Sequence, residues 1–217
     1  MSEPVLEILN VSKRFGGHPA NDDISLSLRE GEIVALLGEN GAGKTTLMNI
    51  LFGHYTQDSG RIRVMGADLP PGRPRAAIRA GIGMVHQHFA LAPNLTVLEN
   101  VTTGTESLWS LRSNVARARE RLSGLAARFG LAVDPDRRVG TLSVGEQQRV
   151  EILKALYGKA RILVLDEPTA VLTQPEAEGL FATLKVMAGQ GISLIFISHK
   201  LDEVMAAADR VACEAGQ

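Results

Sequence analysis

The chain has 217 residues, 45% hydrophobic and 22% charged, with a formal net charge of −1, enough for one large globular domain, or one domain carrying a subdomain, with a real core. Lys and Arg are scattered as "KRF", "RIR" and "RRV", which leaves no basic stripe for nucleic acid, and the single cysteine, Cys213, excludes an internal disulfide and a cysteine-rich zinc site and suits a reducing compartment. "MSEPVLEILN" has acidic residues where a signal peptide needs a basic and then an apolar run, and the longest apolar runs, "IVALL" and "LIFI", are far too short to span a bilayer, so the expectation is a cytosolic chain with no direct membrane insertion.

In chain order, "VLEIL" (5–9), "ISLSL" (24–28) and "RIRV" (61–64) alternate apolar with polar residues, as half-buried antiparallel strands do. "IVALLG" (33–38), "RILVLDE" (161–167) and "SLIFISH" (193–199) are continuous apolar runs ending in polar residues, the pattern of central parallel strands with functional groups at their carboxyl ends. Helices are expected after each, over 44–52, 175–188 and 200–208. "LPPGRPR" (69–75) reads as a loop by its Pro and Gly content. Between Gln87 and Gly158 strand signals vanish. "VARARERLSGLAARFG" there has helical spacing with Gly130 as a stop, and 147–156 reads as a further helix. The expected organisation is an α/β core with a mostly parallel central sheet (1–86 and 159–217), an N-terminal antiparallel β-subdomain and an inserted helical subdomain (87–158). No internal repeat or low-complexity segment is visible.

The chemistry starts at "GENGAGKT", Gly38 to Thr45, the pattern G-x-x-x-x-G-K-T between a strand and a helix. Its glycines let backbone N–H groups wrap a β-phosphate, Lys44 reaches β- and γ-oxygens, and the Thr45 hydroxyl ligates Mg²⁺. Candidate phosphate contacts are Gly38, Asn40, Gly41, Ala42, Gly43, Lys44, Thr45 and Thr46. An ordinary glycine-rich turn is the plain alternative, but strand, loop and helix fall where phosphate binding needs them. In "RILVLDEP", Asp166 is suited to hold Mg²⁺ through water and Glu167 to polarise an attacking water. Locally they also read as a turn cap and a solvated charge. Two adjacent carboxylates at the end of an apolar strand repel, however, and a metal relieves that. His199 in "FISHK" ends the next strand, where it could bond a γ-phosphate and hold Glu167, though a lone histidine is more often just a strand-end polar residue. Gln87 in "MVHQHF" sits past a strand, where an amide could meet Mg²⁺ and the water. His86 and His88 share a strand face if that strand continues, but spacing indicates no third ligand for a metal site of their own. In "TLSVGEQQRVEI", Ser143 and Gly145 precede a helix whose free N–H groups would hold a second anion, and Ser143 with Glu146 also reads as a capping box.

Taken together, the P-loop, Gln87, "LSVGE", "LVLDE" and His199 occur in the order and approximate spacing of the ATP-binding-cassette ATPases, and the resemblance covers nearly the whole chain. It implies a P-loop NTPase fold with ATP and Mg²⁺ as cofactors. It further implies that Ser143, Gly145 and Glu146 bind the γ-phosphate of ATP held by a second, facing cassette. Phe15 matches the aromatic that stacks on adenine in the family, although as a bare residue it is more often core. "MVHQHFALAPNLTVLENV" and "VGEQQRVEILKALYGKARILVLDEPTAVLTQPEAEGLF" resemble the first half of the tandem ATPase subunits of bacterial simple-sugar and nucleoside importers. That implies ATP hydrolysis driving solute import, with a second cassette and membrane permease subunits as partners. The chain would then be peripheral on the inner face of the membrane, with "HFALAPNL" partly exposed in a groove that receives a permease helix. Val144 departs from the usual second glycine of the signature, Glu146 from a common glutamine, and Thr173 from a frequent aspartate. The family pattern continues past "DRVACEAGQ", so a shortened nucleotide-binding remnant without turnover is the alternative. A GTPase would want N-K-x-D, and a cassette acting on ribosomes or DNA would want basic or coiled-coil inserts between Gln87 and Ser143.

Overall fold

Alternation builds the first of two sheets. In the computed structural model, which describes residues 3–38, 41–86, 89–104 and 115–213, Leu6, Ile8 and Val11 of β1 (Leu6–Phe15) are buried with Leu26 and Leu28 of β2 (His18–Leu28). Both strands outrun the alternating stretches. Asn10 at φ 51° lies where the β1–β2 register shifts, which breaks the period-two pattern while the hairpin continues to Gly16 and Gly17. Chain order continues with β3 (Ile33–Leu37), α1 (Lys44–Phe52), β4 (Ser59–Val64), β5 (Ala67–Asp68), α2 (Pro74–Arg79) and β6 (Ile82–Val85). After these come α3 (Val97–Thr102), α4 (Val115–Phe129), a 3₁₀ turn (Val139–Thr141) and α5 (Val144–Tyr157). The chain then forms β7 (Ile162–Asp166), α6 (Gln174–Gly189), β8 (Ser193–Ser198), α7 (Leu201–Ala207) and β9 (Arg210–Cys213). The first sheet is antiparallel among β2, β1, β4 and β5, and the second is parallel in the order β6-β7-β8-β3-β9.

Both faces of the parallel sheet are covered, which is why its strands read as unbroken apolar runs. Ala35, Leu163, Leu165, Leu194 and Phe196 face α3 to α7, whereas Val34, Leu36, Val164, Ile195 and Ile197 face α1, α2 and the antiparallel sheet. Among the described residues, the span between β6 and β7 holds helices and a single isolated bridge, Thr96 to Arg138, but no strand.

Several expected bounds shift for local reasons. The loop expected over 69–75 ends at Arg73, because Pro74 starts α2, its fixed φ suiting the first helical position. α5 begins three residues before the expected 147, directly after its cap Ser143. α3 and the edge strand β9 were not expected from the sequence, being short and, in "RVAC", nearly without pattern. β6 stops at Val85, so His86 lies beyond the strand. His88 itself lies outside the described residues. No described helix is long and apolar enough to cross a membrane.

Parallel register aligns the carboxyl ends of β3, β7 and β8, with Leu37 beside Ser198 and Asp166 beside Ile197. The sequence segments carrying the P-loop, the paired carboxylates and His199 therefore emerge from one edge of the sheet.

Candidate active site

After β3 the chain turns through Gly38, Gly41, Ala42 and Gly43 into α1, while Asn40 lies outside the described residues. Gly43 sits at φ 94°, and a Cβ there would stand 2.0 Å from Ala20 O and 2.6 Å from the Asn21 amide, so only glycine lets the helix start against β2. The Asn21 amide donates to Gly43 O at 3.2 Å. At Gly41 a Cβ would meet nothing within 4 Å, so that backbone faces open space. Among the described residues no side chain caps α1, and its first turn has no acidic residue, so the positive end of its dipole suits an anion. Lys44 is buried and its ammonium donates to Gly38 O at 2.7 Å, arched back over the loop. Thr45 and Thr46 join Lys44, Gly41, Gly43 and Glu167 in lining a cleft of about 150 Å³.

Asp166 ends β7 half-buried. Burial and the Glu167 charge push its carboxyl above the usual range, against the smaller pull of His86 and Lys44. Glu167 has φ 44°, a left-handed conformation that costs a non-glycine residue about 1–3 kcal/mol and recurs at functional sites. The bend turns its side chain off the strand into the cleft, with its N–H donating to Ile197 O at 3.1 Å. His199 Nδ1 stands 3.3 Å from Glu167 Oε1. An uncapped helix, an arched lysine, a hydroxyl and a carboxylate strained by its neighbour's charge fit a magnesium nucleotide, since hard oxygen donors suit that ion. Gln87 lies outside the described residues.

The second candidate anion site lies elsewhere. Ser143 Oγ accepts from Glu146 N–H at 3.2 Å and Glu146 Oε2 accepts from Ser143 N–H at 2.8 Å, a complete capping box, and Arg137 holds the other Glu146 oxygen at 2.8 Å. The Glu146 carboxylate is thus engaged by its own chain. Gly145 lines a separate cavity of about 190 Å³ with Arg149, Leu172 and Glu176, which shares no residue with the P-loop cleft. Phe15 is exposed at the tip of β1, edge-on to the exposed Tyr55 at 5.4 Å, so it is a surface aromatic rather than a core residue.

Four side chains that sequence reading missed tie these parts together. Gln148, buried one turn into α5, donates to Pro168 O at 2.6 Å, next to Glu167. Thr169 Oγ1 donates to Glu203 Oε1 at 2.6 Å, and Ser198 Oγ donates to Glu203 Oε2 at 2.8 Å. Their only sequence signal is proximity to a motif.

A family model described as ABC transporter matches residues 21–170. The nucleoside import ATP-binding protein NupA of Lactococcus lactis subsp. cremoris is 48% identical over 210 residues, covering 97% of this chain and 42% of that protein. The ribose import ATP-binding protein RbsA 2 of Burkholderia ambifaria is 46% identical over 211 residues, covering 96% of this chain and 42% of that protein. The chain thus spans less than half the length of these curated relatives. Among solved structures, an ATP-binding cassette of an ABC transporter in its ADP conformation matches with a TM-score of 0.85 at 29% identity, over 98% of this chain and 87% of that one.

Proposed function

Because the chain belongs to the ABC transporter family, we propose that it binds and hydrolyses ATP as one half of a two-cassette unit that drives import of a sugar or nucleoside through a membrane permease. The observation that carries the reading is a cleft lined by the start of an uncapped helix with Lys44, Thr45 and Glu167, where Asp166 precedes Glu167 at the end of β7 and His199 stands 3.3 Å from the Glu167 carboxylate, while the signature glycine Gly145 lines a different cavity. In this reading Gly38 to Thr46 cradle the phosphates, Phe15 stacks on adenine, and Thr45, Asp166 and Gln87 would hold Mg²⁺, which would supply neutralising charge for the transferring phosphoryl group. Glu167 orients and polarises the attacking water and His199 holds that carboxylate and the γ-phosphate. Ser143, Gly145 and Glu146 serve the nucleotide of the facing cassette. Lengths more than twice that of this chain in the relatives support a second cassette, and their names support the solute class.

Residues 1–86 and 159–217 form the core in this reading and 87–158 the helical subdomain that meets the permease. Half-buried Phe89 and Leu91 support that contact, as does a mostly apolar groove of about 330 Å³ lined by Phe52, Ile78, Met84, Ala90 and Glu151 among others. The chain would sit on the inner face of the membrane through that partner. Titration with a Mg²⁺-ATP analogue tests the reading. Lys44→Ala should weaken binding by about 10–100-fold, the worth of a charge-assisted hydrogen bond, and unchanged affinity would sink it.

A further inference from the structure

We propose that Glu203 is a positioning residue for ATP hydrolysis, its carboxylate clamping the segment that follows Glu167 to the segment that carries His199. The proposal rests on reading the cleft as an ATPase site. Glu203 lies in the first turn of α7 with its side chain 12% exposed. One oxygen accepts from Thr169 Oγ1 at 2.6 Å and pairs with Lys200 Nζ at 3.0 Å, and the other accepts from Ser198 Oγ at 2.8 Å. Ser198 Oγ in turn accepts from Lys200 N–H at 3.1 Å. Thr169 stands two residues after Glu167, while Ser198 and Lys200 flank His199. A single carboxylate therefore spans the two segments whose side chains meet at the 3.3 Å contact of His199 with Glu167.

The chemistry asks for an ionised acid. A carboxylate is acceptor-only and receives both hydroxyls at once through charge-assisted bonds, whereas an amide has one acceptor oxygen and must turn N–H groups toward the second hydroxyl. Burial works to raise the Glu203 carboxyl, but the bonds from Thr169, Lys200 and Ser198 together outweigh it and hold the group below the usual carboxylate range. Glu203 is absent from the residues lining the cleft and acts through the groups it holds.

The test uses the full chain, Glu203→Gln, Thr169→Val and the double variant. Single-turnover hydrolysis at protein excess is compared with the Kd for a non-hydrolysable Mg²⁺-ATP analogue, and amide exchange of 168–173 and 199–202 is followed without nucleotide. Each single variant should slow turnover by about tenfold while Kd stays within about twofold, since a small misplacement of catalytic groups costs rate rather than binding. The double variant should be no slower than either single one, and exchange should rise in both segments together. Wild-type turnover in Glu203→Gln overturns the proposal. So does a loss of rate that only follows weakened Kd and lowered Tm, or exchange that rises in one segment alone. A wild-type chain that binds no Mg²⁺-ATP would instead sink the reading of the cleft, and the exchange arm would still judge the clamp.

Discussion

At Asp166 the folded chain holds a carboxyl that would titrate lower once unfolded, because burial and Glu167 both disfavour its charge. The sign follows from linkage. The fold favours the protonated form, so stability falls as pH rises from the ordinary 3.8 through the raised folded value, and the loss is complete above it. Asp166→Asn should therefore raise the Tm of the nucleotide-free chain at neutral pH by about 1–3 °C and lose that advantage below the ordinary carboxylate range, while Mg²⁺-ATP no longer stabilises it. Melts at several pH values with and without Mg²⁺-ATP check this, and a destabilised Asn variant at neutral pH would contradict it. Residues of this kind were legible in the sequence because one short motif carries both their type and their place on a strand. Glu203 and Gln148 were not, since a lone polar residue on a helix reads as a solvated face and Thr169 lies 34 positions from its partner. Phe15 was legible only through resemblance, and the neighbouring Tyr55 not at all.

Among the elements, α5 carries both a cap and a groove wall. Glu151 on its buried face has one carboxylate oxygen with no hydrogen-bond partner among the described residues. Burial pushes its carboxyl up, opposed by Lys154, the Ala90 N–H and His86. The folded value is raised, so the cost of ionising Glu151 appears as pH climbs past 4.5 and is full once the raised value is passed. Glu151→Gln should melt about 1–3 °C higher than wild type at neutral pH and equally at acid pH below that window. Parallel melting curves across the range decide it, and a constant offset would exclude titration as the cause. Element type was readable wherever burial left a pattern, as unbroken apolar runs in β3, β7 and β8 and as helical spacing in α4. It failed where geometry came from something other than burial. The bulged hairpin arm past Asn10 and the edge strand β9 are examples, the latter docked beside β3 with Arg210 bonded to Glu32.

For the molecule as a whole, the P-loop cleft and the cavity lined by the signature glycine Gly145 share no residue, and in the proposed function the two serve different nucleotides. Phosphoryl transfer depends on positioning and charge stabilisation, so a chain on its own should turn over ATP poorly. Specific activity should rise with protein concentration as pairs form, and Glu167→Gln should lengthen the life of the ATP-bound pair by about tenfold or more by removing the carboxylate that polarises the water. Brisk turnover at constant specific activity from a demonstrated monomer would refute this. The bond from Gln148 to Pro168 O then acquires a second meaning. In the proposed pair α5 would reach toward a neighbour's nucleotide, and it is fastened, one turn in, to the segment beside its own chain's Glu167. Two such chains would be wired crosswise, and linkage requires that whatever one bound nucleotide does to the other's affinity is returned in equal measure. The ATP dependence of binding to the pair should accordingly be sigmoidal and become hyperbolic in Gln148→Leu. A hyperbolic curve in the wild-type pair would show that the two halves keep separate counsel.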